Sequence, residues 1–182
     1  MQFSSDAELL SRIRAGDKTS FTTLYDKYNR RLFGYCYRLL QDRHSAEDIV
    51  QTTFVKAFDS IRTLDKPELF YHWLFTIARN EVYGFIRQKR SNGVVHSLED
   101  EEDIWDMESP HVQMVQQETS ELVQQLLNQL KVEYREVVVL RHFDKLSYVE
   151  IAAVTGDTVS SVESRLFKAR KALAKKLKPY FQ

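Results

Sequence analysis

Residues 147–158 read Ser147-Tyr148-Val149-Glu150-Ile151-Ala152-Ala153-Val154-Thr155-Gly156-Asp157-Thr158, and they spell out two helices with the turn between them. Ser147 and Glu150 have the spacing of a capping box, in which each side chain satisfies a backbone N–H at the helix start. Ile151, Ala152 and Val154 give that short helix an apolar face. Thr155-Gly156-Asp157 is the turn, and Thr158 is placed to cap a second helix whose buried stripe is Val162, Leu166, Ala169 and Leu173. Two helices joined by a three-residue, glycine-containing turn form the helix-turn-helix pattern. The second helix carries seven Lys/Arg and no acid between Arg165 and Lys178. Its first two turns offer Ser160, Ser161, Glu163, Ser164 and Lys168, polar groups able to reach base edges in a major groove, while the basic remainder suits phosphates. The plainer alternative is an amphipathic helix with a solvated basic face. Capping box, glycine turn and charge together favour DNA reading.

Upstream, the pattern is helical almost throughout. Ser5-Asp6-Ala7-Glu8 predicts a capping box for a helix that stops at Gly16. A long amphipathic segment from about 18 to 40 places Phe21, Leu24, Tyr25, Tyr28, Leu32 and Tyr35 at spacings of three and four. Ser45 predicts the next N-cap, with Glu47 and Asp48 favourably placed at the positive end of that helix. The helix should run to about Ile61, where Arg62 to Pro67 breaks it, and a fourth should span about 68–89. Glu47, Asp48 and Gln51 share one face, with Phe54 and Val55 nearby, a surface suited to a protein partner. On the fourth helix Trp73, Ile77, Asn80, Gly84 and Arg87 lie on one line, with Arg79, Tyr83 and Arg90 adjacent. Aromatic, amide and guanidinium groups presented together suit an unstacked base: one stacks, one pairs, one holds phosphate. Against this stands the plain reading of Trp73 as core.

Net charge is zero, but its distribution is segregated. Residues 1–90 hold 15 Lys/Arg against 11 Asp/Glu, residues 91–130 hold nine acids and no Lys/Arg, and residues 131–182 hold 11 basic against six acidic residues. Two basic bodies flanking an acidic connector suggest two nucleic-acid-facing units on a tether. The expected architecture is all-α: a four-helix domain over 1–90, an acidic linker over 91–110 and a helix-turn-helix domain over 111–182. No apolar run approaches a membrane span, and the opening residues lack the pattern of a secretory signal. The single Cys36 allows no internal disulfide and fits a reducing cytoplasm. Five scattered histidines, no glycine-rich phosphate loop and no metal-spaced His/Cys pair give no catalytic residue, metal or cofactor, and leave an enzyme the least favoured class.

In combination these motifs are specific. Gly16-Asp17, Phe21…Leu24-Tyr25…Tyr28, Ala46-Glu47-Asp48…Gln51…Phe54, Trp73-Leu74…Ile77-Ala78-Arg79-Asn80 and Ser147-Tyr148…Glu150-Ile151-Ala152…Gly156…Val162…Ser164-Arg165-Leu166…Ala169-Arg170 resemble a bacterial RNA polymerase sigma factor of the extracytoplasmic-function group. The resemblance covers about residues 6–90 and 112–175. It implies partners in core RNA polymerase, promoter DNA and an anti-sigma factor, with no membrane insertion. It also implies a first domain that binds the polymerase clamp and melts the −10 element, and a second that reads the −35 element. Carried over, Glu47, Asp48, Gln51 and Phe54 match the clamp-binding helix. Leu64, Asp65, Lys66, Ile77 and Asn80 match the loop and helix that capture a flipped −10 base. Arg79, Arg87 and Arg90 would lie on the strand backbone. Glu163, Ser164, Phe167 and Lys168, beside Arg165, match the −35 readers.

Three residues depart from the family's habit: Lys131 where Pro is usual, Asp157 where an apolar residue is usual, and Glu163 where a basic residue is usual. The first two are expected to concern only local helix starts. Glu163 implies an altered −35 preference, because a carboxylate accepts from cytosine N4 and repels phosphate. Two alternatives use less of the chain. A free-standing helix-turn-helix regulator leaves the first 90 residues unexplained, and a sigma-like decoy would not need Arg79, Arg87, Arg90 and Lys168.

Overall fold

A computed structural model describes residues 5–91 and 117–178, and among these every regular element is helical. Helices α1 (Asp6–Arg14), α2 (Thr19–Leu40), α3 (Arg43–Ser60) and α4 (Phe70–Ser91) form the first half. Helices α5 (Gln117–Asn128), α6 (Val132–Val138), α7 (Tyr148–Thr155) and α8 (Val159–Leu177) form the second, with a π turn at Val139–Phe143 continuing α6. The acidic connector at 92–110, including Trp105, lies outside the described residues.

Most helix starts follow the sequence. Ser5 accepts from the Glu8 N–H, although Glu8 turns its own carboxylate to Arg12 and leaves half the expected box unmade. Ser147 and Glu150 complete a full capping box, and Thr158 caps α8 by accepting from the Ser161 N–H at 3.2 Å. Gly156 ends α7 at φ +72°, a left-handed conformation glycine adopts without a Cβ penalty. One cap differs from expectation. Asp42, not Ser45, caps α3, its carboxylate accepting from the Ser45 N–H at 2.6 Å. Both residues are competent caps, and the carboxylate adds charge at the positive helix end. Pro67 opens a short 3₁₀ turn over Pro67–Leu69, which delays α4 to Phe70.

Leu24, Leu32, Tyr35, Phe70, Leu74 and Phe75 are fully buried where α2 meets α4, and Leu140, Ile151, Val162 and Leu166 do the same for the second half. Each such side chain contributes roughly 1.5–3 kcal/mol of burial. The two groups join into one continuous core, because α4 packs directly on α7 while α2 touches α5, α6 and the π turn. The seam between the halves therefore crosses α4, the helix carrying the Trp73–Arg90 line.

Candidate nucleic-acid interface

The α3 face is built from an acidic ridge and an aromatic cup. Glu47, Asp48 and Gln51 are exposed, and Glu47 is bonded to Arg43 one turn back. Phe54 is only 4% exposed, yet with Gln51 it floors a hollow of about 310 Å³. The hollow is walled by Phe21, Tyr25, Val55, Phe58 and Asp59. Phe21 packs edge-on to Phe58 at 4.9 Å, and Tyr25 lies 4.7 Å from Phe54. Tyr25 and Phe58 remain 39% exposed. In the sequence Phe21 and Tyr25 belong to an ordinary core stripe; the structure turns them onto the walls of this apolar hollow.

Around α4 the expected base-capturing residues divide. Ile77 and Asn80 line one hollow of about 390 Å³, together with Lys56, Asp59, Ser60 and Glu81. The Lys56 ammonium bonds the Glu81 carboxylate at 2.6 Å, tying α3 to α4 across its wall. Leu64 is 6% exposed, so its side chain belongs to the core, and its carbonyl receives the Arg14 guanidinium. Asp65 and Lys66 are exposed at the head of the loop. Trp73 is half-buried, 5.9 Å from Phe70, and packs against the core. Arg87 and Arg90 are exposed on the last turns of α4.

Arg79 does not face the hollow's solvent. Its Nε donates at 2.9 Å to Glu136 of α6, a carboxylate with no exposed surface. The same carboxylate accepts from Tyr35 at 2.9 Å and Tyr83 at 2.7 Å. Burial, with Glu136 adjacent, pushes both phenols well above their usual range, so they stay protonated donors. No feature of the sequence singles out Glu136, since its donors lie 53 to 101 residues away.

On α8, Ser160, Glu163, Ser164, Phe167 and Lys168 are exposed, Phe167 by 68%, and Ser161 is half-buried. Arg165 is held by both oxygens of Asp157, at 2.7 and 3.1 Å. The departure at Asp157 thus reaches beyond a local helix start. A fork-to-fork pair of this kind fixes the guanidinium in orientation as well as position. Lys131, the other departure, does begin α6 and makes no side-chain cap. Among the described residues no cluster could hold a metal ion, and no helix is long and apolar enough to cross a membrane.

Described residues that are helical throughout their regular elements, with a capped helix-turn-helix whose second helix is basic, define the class of sequence-reading DNA-binding proteins. Residues 24–92 match the family described as Sigma-70 region 2, and residues 120–173 match Sigma-70, region 4. The RNA polymerase sigma-H factor of Pseudomonas aeruginosa is 34% identical, over 96% of this chain and 94% of that protein. The extracytoplasmic-function sigma factor SigW of Bacillus subtilis is 31% identical over 93% of this chain and 95% of its own length. Among solved structures, CnrH in complex with the cytosolic domain of CnrY superposes with a TM-score of 0.73 at 25% identity, covering 97% of this chain and 99% of that one. The sigma factor RpoE of Bartonella quintana, solved with the anti-sigma factor NepR, gives 0.67 at 27% identity over 87% of this chain and 96% of that one. The chain therefore belongs to the extracytoplasmic-function group of sigma-70 factors. It directs promoter-specific initiation of transcription by RNA polymerase.

Proposed function

We propose that three surfaces divide this work. The α3 ridge of Glu47, Asp48 and Gln51, with Phe54 and the aromatic cup beside it, docks on the polymerase clamp. The hollow at Ile77 and Asn80, together with the loop Leu64–Lys66, takes an extruded −10 base, while Trp73, Arg79, Arg87 and Arg90 line the strand's path. Helix α8 enters the major groove of the −35 element and presents Ser160, Ser161, Glu163, Ser164, Arg165, Phe167 and Lys168. Residues 1–90 and 111–182 act as two units on the 91–110 tether, in the cytoplasm, with no cofactor. The crystallised complexes of CnrH with CnrY and of RpoE with NepR support an anti-sigma factor as a further partner of this chain.

The observation that carries this reading is the juxtaposition of Asn80 and Ile77 in one hollow between α3 and α4. A base leaving the stack needs a wall to stack on and a group to pair with its Watson–Crick edge, and this pair supplies both. Permanganate footprinting of promoter complexes formed with core polymerase tests it. Asn80→Ala should leave duplex binding intact and reduce the reactivity of melted thymines. Unchanged melting would assign Asn80 to a structural role.

A further inference from the structure

Between α3 and α4 the chain makes two short 3₁₀ turns, Ile61–Thr63 and Pro67–Leu69, with Leu64, Asp65 and Lys66 between them. Ile61 and Leu64 are buried and pin the first half of this loop, whereas Asp65, Lys66, Glu68 and Leu69 are exposed. The Leu64 carbonyl accepts from the guanidinium of Arg14, 50 residues earlier in the chain. We propose that Arg14 is a positioning residue for −10 recognition: through this bond the first helix, α1, holds the loop in the place from which it takes the extruded base. The inference rests on the reading of Leu64–Lys66 as part of the −10 surface.

Helix α1 is fastened at both ends. At its start Asp6 accepts from the Lys27 ammonium at 2.6 Å and from the Tyr28 hydroxyl, both on α2. Along its length Leu9, Leu10 and Ile13 are buried, and the helix packs on both 3₁₀ turns as well as on α2. Its last turn carries two arginines with different partners. Arg12 closes on Glu8, one turn back. Arg14 has Leu10 at the equivalent place, and the Asp17 carboxylate beyond it already accepts from Thr19 and Ser20 at the start of α2. The Arg14 guanidinium is therefore turned outward, to the loop. A bond from a guanidinium to a carbonyl is charge-assisted, and stronger than one between neutral groups.

The loop's own bonds are local. Thr63 donates to the Ser60 carbonyl at 2.7 Å, and the Leu69 N–H donates to the Lys66 carbonyl at 3.0 Å. Such bonds fix the shape of each turn but not where the loop lies relative to the hollow at Ile77 and Asn80. That placement falls to the buried Ile61 and Leu64 and to Arg14. A loop set in place before the base arrives spends less of its interaction energy on ordering, so more of it goes into telling one base from another. Arg14 is exposed, so removing it loosens the loop locally and leaves the core intact.

The test uses the full-length chain with core polymerase, on a promoter library in which every −10 and −35 position is varied. Arg14→Ala should cut the ratio of best to worst base at one −10 position at least fivefold, with −35 preference and affinity for core polymerase unchanged. Arg14→Lys, which keeps a charged donor, should restore most of that ratio. Arg12→Ala, in the same turn but bonded to Glu8, should change nothing. In the free protein, amide exchange across residues 63–66 should quicken at least tenfold in Arg14→Ala and not in Arg12→Ala. Equal losses at −10 and −35 positions, or exchange that does not respond, would overturn the positioning role. Asn80→Ala on the same library separates the two readings. If it alters the −10 ratio and Arg14→Ala does not, the positioning role alone fails. If neither alters it, the −10 reading fails and takes the positioning role with it.

Discussion

Helices α4 and α8 are both basic-ended amphipathic helices that we assign to DNA, and the fold treats them in opposite ways. Helix α8 carries its readers in the open, with Phe167 68% exposed and Glu163, Ser164 and Lys168 beside it. Helix α4 buries Leu74, Ala78 and Val82 completely, half-buries Trp73, and gives Arg79 to Glu136. The difference follows from what each must do. A duplex groove is read from outside, so its reader can wait exposed. An unstacked base must be taken into a hollow, and a hollow needs a packed wall. The same packing joins α4 to α7 of the second half, whereas α8 packs chiefly on α6 and α7 of its own half.

Core truncation should break the comparison most strongly. Leu74→Ala, at a fully buried α4 position, should destabilise the protein by about 2–5 kcal/mol. Phe167→Ala should leave thermal stability unchanged and weaken capture of −35 duplex by roughly 1–3 kcal/mol. Calorimetry and filter binding on the pair decide it; a stability loss at Phe167 would mean that α8 is not free. Next in size, Asn80→Ala should reduce the open-complex fraction by roughly 1–3 kcal/mol at unchanged closed-complex affinity.

A smaller effect lies in the seam. Burial raises the Asp144 pKa from 3.8 to about 6, against the pull of Arg31 and Arg38 and the bond from Tyr71. Those three groups belong to α2 or α4, so they offset part of what burial does to the carboxyl. A carboxyl whose pKa is raised in the folded protein favours the fold fully below the unperturbed value, and that contribution is lost as pH rises through about 6. Between pH 5 and 7.5 the folded state should weaken by about 1 kcal/mol. Asp144→Asn should flatten this slope in thermal unfolding followed against pH, and an unchanged slope would mean that Asp144 does not set it. The smallest effect concerns α8 itself. Asp157→Ala frees Arg165 from its two bonds. It should steepen the salt dependence of −35 duplex binding by about one phosphate contact, and an unchanged slope would mean that Arg165 reaches no phosphate.

The sequence carried local structure well because caps and turns are local physics. Ser147, Glu150, Gly156 and Thr158 act within three or four residues, and all behave as their types predict. Competition between equals is where it failed: Asp42 and Ser45 are both good caps, and only tertiary placement chose Asp42. Amphipathic spacing said that one face of α2 is apolar but not which members of it would be covered, so Tyr25 emerged on the rim of a cup. The motif residues Ile77 and Asn80 fell together in one hollow, while Lys56 and Glu81, which share it, had no signature beyond ordinary surface charge. Glu136 was the least legible of all, since nothing in Arg135-Glu136-Val137 distinguishes a buried carboxylate with three donors from a solvated acid.

Glu163 tests the central claim, that two separate surfaces of this chain read two separate promoter elements, more directly than any other residue. It is exposed one turn into α8, where a carboxylate can accept from cytosine N4. Selection from a promoter library, by holoenzymes carrying wild type or Glu163→Arg, reads both elements at once. The −35 preference should move at one position, from cytosine toward guanine, by roughly 1–3 kcal/mol, while the −10 preference stays fixed. An identical −35 preference, or a shift at the −10 element, would contradict the account.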